Sequence, residues 1–137
     1  MKMRKKILAV DDEPANLEII KEALSEHYDL RTASTGEEAL EIAPEFIPDL
    51  IVLDIMMPGI DGYEVCQRLR EDLDFKSTPI IMVTAKTKSE EMIEGMKAGA
   101  EDYITKPFEV EDLMEGIEFF FPSSEHVSKK PDDQTRI

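Results

Sequence analysis

Three short apolar runs constrain this chain more than anything else in it: Ile7–Val10, Leu50–Leu53 and Ile80–Val83, each rich in Ile, Leu and Val and none alternating with polar residues. A run without alternation suits a strand buried on both faces, the condition of a parallel sheet covered by helices on either side. Two weaker strand candidates, Asp29–Ala33 and Asp102–Thr105, complete the set, and the segments between strands have helical spacing. The chain therefore reads as five successive β-α units, an α/β domain with a five-stranded parallel sheet. A length of 137 residues accommodates one such core and little more.

The helical segments carry their own punctuation. The first is predicted to begin near Pro14, with Asp12 as its cap and Leu17, Ile20 and Leu24 as its stripe, and to stop before Tyr28. The second starts near Thr35, with Glu38 placed as in a capping box, and Pro44 is expected to end it early and leave an irregular stretch to Pro48. Val65 and Leu69 mark the third, Met92, Ile93 and Met96 the fourth, and Leu113, Met114 and Ile117 the fifth. Each is expected to turn one apolar face to the sheet, which would put the methionines of the fourth in the core. Gly36 opens the second helix and Gly99 is placed to close the fourth. From Pro122 the chain becomes polar, so residues 1–121 form the predicted domain and 122–137 a tail or the start of a linker.

Composition excludes several classes. The net charge of −15 repels phosphate backbones, so direct nucleic acid binding by this chain is not expected. No apolar run approaches the roughly 18 residues of a membrane span, and the basic start is followed by only Ile7 to Val10 before Asp11, too little for a signal peptide. The single cysteine, Cys66, excludes an internal disulfide framework and agrees with a reducing compartment. A cytoplasmic location is the expectation.

The polar residues that close the apolar runs carry the chemistry. In open parallel sheets ligands bind beyond the carboxyl ends of the strands, where strand order reverses. Asp11 and Asp12 follow the first strand and Asp54 ends the third. With sheet order 2-1-3-4-5 these strands are neighbours and the three carboxylates meet, joined at the same edge by Thr84 and Lys106. Taken singly, each has an ordinary role as a cap, a turn residue, a strand end or a solvated cation. Gathered, they do not: two like charges at about 4 Å cost on the order of 4 kcal/mol at an effective dielectric of 20, so the cluster calls for a divalent cation. Oxygen ligands with no Cys or His nearby favour Mg²⁺. Three carboxylates and Lys106 sum to −2, which Mg²⁺ brings to zero, and a phosphoryl group on Asp54 leaves roughly −1.

These residues lie in the segments AVDDEP at 9–14, IVLDIMMPGIDGYEV at 51–65, PIIMVTA at 79–85 and DYITKPF at 102–108. In order and spacing they resemble the response-regulator receiver family of two-component signalling, the CheY-like proteins, over residues 5 to 121. The resemblance implies a doubly wound, flavodoxin-like (βα)₅ fold of sheet order 2-1-3-4-5. It implies that Asp54 takes a phosphoryl group from a phosphohistidine on a sensor histidine kinase or a histidine phosphotransfer protein. Mg²⁺ would then be held by Asp12, Asp54 and the backbone carbonyl of Met56, with Asp11 acting through a water. Lys106 and Thr84 would bond phosphoryl oxygens, Tyr103 would follow Thr84 from an outward to an inward rotamer, and the surface of the fourth helix, fifth strand and fifth helix would change. The Lys106–Pro107 bond would be cis. Such a protein catalyses its own phosphorylation and dephosphorylation and is not a turnover enzyme on an external substrate. Met56 and Lys86 stand where the family sets phosphoryl lifetime, and a large apolar Met56 implies minutes or longer.

Other residues have plainer readings. Cys66 is expected to pack among apolar neighbours, and His27 and His126 lie apart from the acidic cluster in sequence. Phe119, Phe120 and Phe121 cannot all face one core, so at least one is expected at the surface, explained either by homodimerisation through the fourth and fifth helices or by docking of a downstream domain. A haloacid-dehalogenase-like phosphatase uses the same chemistry but places its nucleophile in D-x-D after the first strand, whereas Asp54 is followed by Ile55 and Met56.

Overall fold

The computed structural model describes residues 4–84 and 89–121, with the side chains of residues 89–92 and 95 left aside. Five strands, β1 (Lys6–Val10), β2 (Asp29–Ala33), β3 (Leu50–Asp54), β4 (Ile80–Thr84) and β5 (Asp102–Thr105), form one sheet of order β2-β1-β3-β4-β5, parallel throughout. Helices α1 (Pro14–Leu24), α2 (Gly36–Phe46), α3 (Gly62–Glu71), α4 (Ser89–Ala98) and α5 (Val110–Phe120) follow the strands in turn. The three apolar runs are the central strands, and every residue of β3 and β4 is buried. The doubly wound (βα)₅ fold expected from the pattern is the fold observed.

Two cores sandwich the sheet. Leu8, Val10, Ile51, Leu53 and Met82 point to one side and pack with Ala39, Ala43, Phe46, Val65 and Leu69 of α2 and α3. Ile7, Ala9, Val52, Ile81 and Val83 point to the other and pack with Ile20 and Leu24 of α1 and Leu113 and Ile117 of α5. This odd-even division is the two-residue period of a strand expressed on both faces of one sheet.

Three expectations need correction. Asp12 does not cap α1: the N-cap position is Glu13, which makes no side-chain cap bond, and Asp11 Oδ1 instead accepts from the Glu13 amide at 2.9 Å. Pro44 does not end α2, which continues to Phe46 and closes on Ile47 in the left-handed region with φ 51°. In the last turn proline forfeits one helical bond, and burial of Ala43 and Phe46 on either side of it holds the turn in place. Finally, α4 turns Ile93 and Met96 away from the core. Ile93 and Met96 are 53% and 61% exposed, while Ala98 is buried. Ala98, a small residue, lets the helix end lie close to the sheet, and Ile93 and Met96 are turned to solvent. The side chain of Met92 lies outside the described residues.

Other expectations hold. Thr35 caps α2, accepting from the Glu38 amide at 3.0 Å, while the Glu38 carboxylate reaches back one residue further than a standard box, to the Ser34 amide at 2.8 Å. Gly99 closes α4 at φ +112°. Cys66 is fully buried, its Sγ lies 3.2 Å from the Ala98 carbonyl, and burial pushes its thiol up to about 11. Phe119 is exposed, and Phe120 and Phe121 are half-buried. Arg70 went unnoticed in the sequence. It donates to the carbonyls of Gly99 at 2.8 and 3.0 Å, Phe75 at 2.6 Å and Thr78 at 2.8 Å, and pairs with Glu101 at 2.7 Å, tying the end of α3 to the end of α4 and the start of β4.

Candidate phosphoryl-acceptor site

The carboxyl ends of β1, β3, β4 and β5 converge on one crevice. Because β1 and β3 are adjacent, Asp11 and Asp54 face each other across it, and Asp12 stands beside them; each of the three offers one oxygen within 4.8 Å of the others. Asp11, Asp54 and Thr84 are all buried, the only polar residues so placed among the described ones. Lys106 Nζ reaches in from the end of β5 to Asp11 Oδ2 at 3.2 Å and Asp54 Oδ1 at 3.3 Å, its own side chain mostly covered. The Lys106–Pro107 bond is cis.

Local chemistry fixes each group. Gly62 opens α3 directly beneath the end of β3, where its amide donates to the Ile55 carbonyl at 2.9 Å, and a Cβ there would collide with the Asp54 carbonyl oxygen. Asp61 caps α3 by accepting from the Glu64 amide at 3.0 Å. This turn sets the path of residues 55–61 around the crevice. Lys106 is held through its amide, which donates to the Thr84 carbonyl at 2.6 Å. Asn16 escaped notice in the sequence: its side-chain amide donates to Asp11 Oδ2 at 3.2 Å and Glu13 Oε1 at 2.7 Å, so it orients the carboxylate shared with Lys106. The signal was its place on the inner side of the first turn of α1, five residues after Asp11. Tyr103 is half-buried against the α2–α4 side of the core, with its hydroxyl oxygen covered. Met56 is 55% exposed at the rim.

Electrostatics make the crevice unusual. Burial, then the Asp11 charge, push the Asp54 carboxyl up to about 6, with Lys106 acting in the opposite direction and the Asp12 charge adding to the rise. Burial tends to lower Lys106, but Asp54 and Asp11 outweigh it and hold the ammonium above its ordinary range. Among the described residues, Lys106 alone pairs with the cluster and leaves it short of positive charge. The donor set, three carboxylates with no Cys or His among the described residues of the cluster, is what a hard divalent cation such as Mg²⁺ takes.

Residues 7–118 match the response regulator receiver domain family, and the chain belongs to it. It is 43% identical over 144 residues to the alkaline phosphatase synthesis transcriptional regulatory protein PhoP of Bacillus subtilis, covering 98% of this chain and 59% of that protein. It is 40% identical over 113 residues to the response regulator PleD of Caulobacter vibrioides, covering 82% of this chain and 24% of that one. The chain therefore spans only part of the length of these relatives. Among solved structures, the chemotaxis protein CheY4 of Vibrio cholerae superposes with a TM-score of 0.82 at 34% identity, covering 87% of this chain and 99% of that one. The BeF₃-activated DrrB receiver domain superposes with a TM-score of 0.80 at 34% identity, covering 89% and 100%. The chain is thus a receiver domain of two-component signalling. No helix among the described residues is long and apolar enough to cross a membrane.

Proposed function

We propose that the chain accepts a phosphoryl group on Asp54 from a phosphohistidine of a sensor histidine kinase or histidine phosphotransfer protein, and that the acyl phosphate switches its surface. The observation that carries this reading is a buried carboxylate, raised to about 6, sharing Lys106 with Asp11 and standing beside Asp12. An Asp54 oxygen attacks phosphorus as the P–N bond to the donor imidazole breaks, and the electron pair stays on the ring nitrogen. Asp12, Asp54 and the Met56 carbonyl would hold Mg²⁺, with Asp11 acting through a water. When bound, Mg²⁺ supplies positive charge to the phosphoryl oxygens. Lys106 binds one of those oxygens and carries a positive charge that balances the charge developing on it.

The Thr84 hydroxyl takes another phosphoryl oxygen, and Tyr103, two positions before the end of the adjoining strand pair, relays the change to α4, β5 and α5. The phosphate acts only as far as it binds the active arrangement better than the inactive one. Lys86, a candidate for setting phosphoryl lifetime, lies outside the described residues. A sensor-kinase partner puts this work in the cytoplasm, and the net charge of −15 argues against direct contact of this chain with DNA.

The test is incubation with Mg²⁺ and acetyl phosphate, read by intact mass. The wild type should gain one phosphoryl group and Asp54→Asn none. No gain in the wild type, or an equal gain in both, would overturn the proposal.

A further inference from the structure

Asp11 is 2% exposed, so both of its oxygens depend on donors from the protein. Among the described residues it has three. The Glu13 amide donates to Oδ1 at 2.9 Å, while Oδ2 is shared by the Asn16 side-chain amide at 3.2 Å and Lys106 Nζ at 3.2 Å. Asn16 is the third residue of α1, where a longer Glu or Gln would turn back to the amide of the residue that caps the helix. That amide, of Glu13, is already taken by Asp11, and the shorter Asn16 side chain is turned to the crevice instead. Its second amide hydrogen goes to Glu13 Oε1 at 2.7 Å.

Lys106 is divided between two carboxylates. Its contacts with Asp11 at 3.2 Å and Asp54 at 3.3 Å are both longer than the roughly 2.7–2.9 Å of a committed charge-assisted bond. A phosphoryl group on Asp54 adds three strong acceptor oxygens and about one further negative charge, which draw the ammonium away from Asp11. Oδ2 of Asp11 then keeps a donor only if Asn16 supplies it. Without Asn16 a buried carboxylate oxygen is left bare, and Asp11 competes with the phosphoryl group for Lys106. We propose that Asn16 is a positioning residue that frees Lys106 to serve the phosphoryl oxygen, by keeping Oδ2 of Asp11 hydrogen-bonded when the lysine turns away. The proposal rests on the phosphoryl-acceptor reading and assigns that reaction a residue that acts through Asp11 and Lys106. Its effect is confined to the phosphorylated arrangement: before the phosphoryl group arrives Lys106 itself satisfies Oδ2, so the affinity of the crevice for Mg²⁺ does not depend on Asn16.

The test uses the full chain and beryllium trifluoride, BeF₃⁻, a stand-in for the phosphoryl group that attaches to a carboxylate, with binding followed by ¹⁹F NMR at saturating Mg²⁺. The affinity for Mg²⁺ alone is measured by calorimetry. Asn16→Ala should bind Mg²⁺ within about twofold of wild type and BeF₃⁻ about tenfold more weakly. Asn16→Asp keeps the shape, removes the donor and adds a charge, so it should bind Mg²⁺ at least as tightly as wild type and BeF₃⁻ about tenfold more weakly or worse. A general loosening of α1 would not keep the cation affinity while losing that of the phosphoryl mimic. Glu13→Ala removes the other partner of Asn16, retains the Glu13 amide and takes away no cap bond, and should bind BeF₃⁻ within about twofold of wild type. The proposal is overturned if Asn16→Ala binds BeF₃⁻ as wild type does, if its Mg²⁺ affinity falls as far as its BeF₃⁻ affinity, or if Glu13→Ala reproduces the loss. Equal binding by wild type and Asn16→Ala defeats the role of Asn16 alone. A wild type that neither binds BeF₃⁻ nor gains phosphoryl mass from acetyl phosphate defeats the phosphoryl-acceptor reading, and the proposal with it.

Discussion

Replacing Asp54 by asparagine removes one charge from a crevice that lacks enough positive charge to hold it, and should stabilise the protein when no divalent cation is present. The carboxyl is raised from 3.8 to about 6, chiefly by burial and by Asp11. At 1.36 kcal/mol per unit that difference is about 3 kcal/mol of destabilisation by the ionised form. The sign follows from proton uptake: with the folded value above the unfolded one, the folded state holds more protons between pH 3.8 and about 6. The penalty is therefore absent below the lower value and complete above the upper one. Asparagine mimics the neutral form and leaves Lys106 its contact with Asp11 at 3.2 Å. In urea at pH 7.5 with EDTA, Asp54→Asn should gain about 2–3 kcal/mol, a midpoint shift of about 1–2 M. The gain should shrink to about 1 kcal/mol at pH 4.5. Adding Mg²⁺ should stabilise the wild type more than the variant and narrow the gap. An unchanged or lowered midpoint for Asp54→Asn at pH 7.5, or a gain of equal size at both pH values, would refute the electrostatic account of the crevice.

Gly62→Ala should cost about 2 kcal/mol or more in thermal or urea unfolding, because the new Cβ meets the carbonyl oxygen of Asp54 and the Cα of Ile55 at 2.8 Å, both backbone atoms that cannot swing aside. Arg70→Ala should cost about 2–4 kcal/mol by removing the donor shared by the Gly99 and Thr78 carbonyls and one of the two donors to the Phe75 carbonyl, and Arg70→Lys should recover little, since an ammonium cannot span the same fork. Met56, large and apolar at the rim, should hinder an attacking water, so single-turnover dephosphorylation should show a half-life of minutes or longer, and a half-life of seconds would contradict that role.

The central sheet and the crevice were legible because they rest on short-range signals. An apolar run without alternation marks a strand buried on both faces, and a polar residue closing it falls at the sheet's carboxyl edge. Asp11, Asp54 and Thr84 were found that way, and strand order alone then brought them together. What was missed depends on which neighbour covers a side chain. Ile93 and Met96 of α4 have the period of a buried face but lie outward, since the position next to the sheet is occupied by a small residue, Ala98, and periodicity does not say which side is covered. The five donors of Arg70 find carbonyls on segments up to 29 residues away, and no local pattern encodes that. Pro44 is tolerated inside α2, because its cost depends on how many helical bonds follow it.

The most direct measurement of the central claim is chemical identification of the acceptor side chain. After incubation with Mg²⁺ and acetyl phosphate, reduction with borohydride converts an aspartyl phosphate to homoserine, which peptide mass mapping locates. The account predicts homoserine at position 54 in the wild type and at no position in Asp54→Asn. Homoserine at Asp11 or Asp12, or phosphate retained on a serine or threonine, would contradict it.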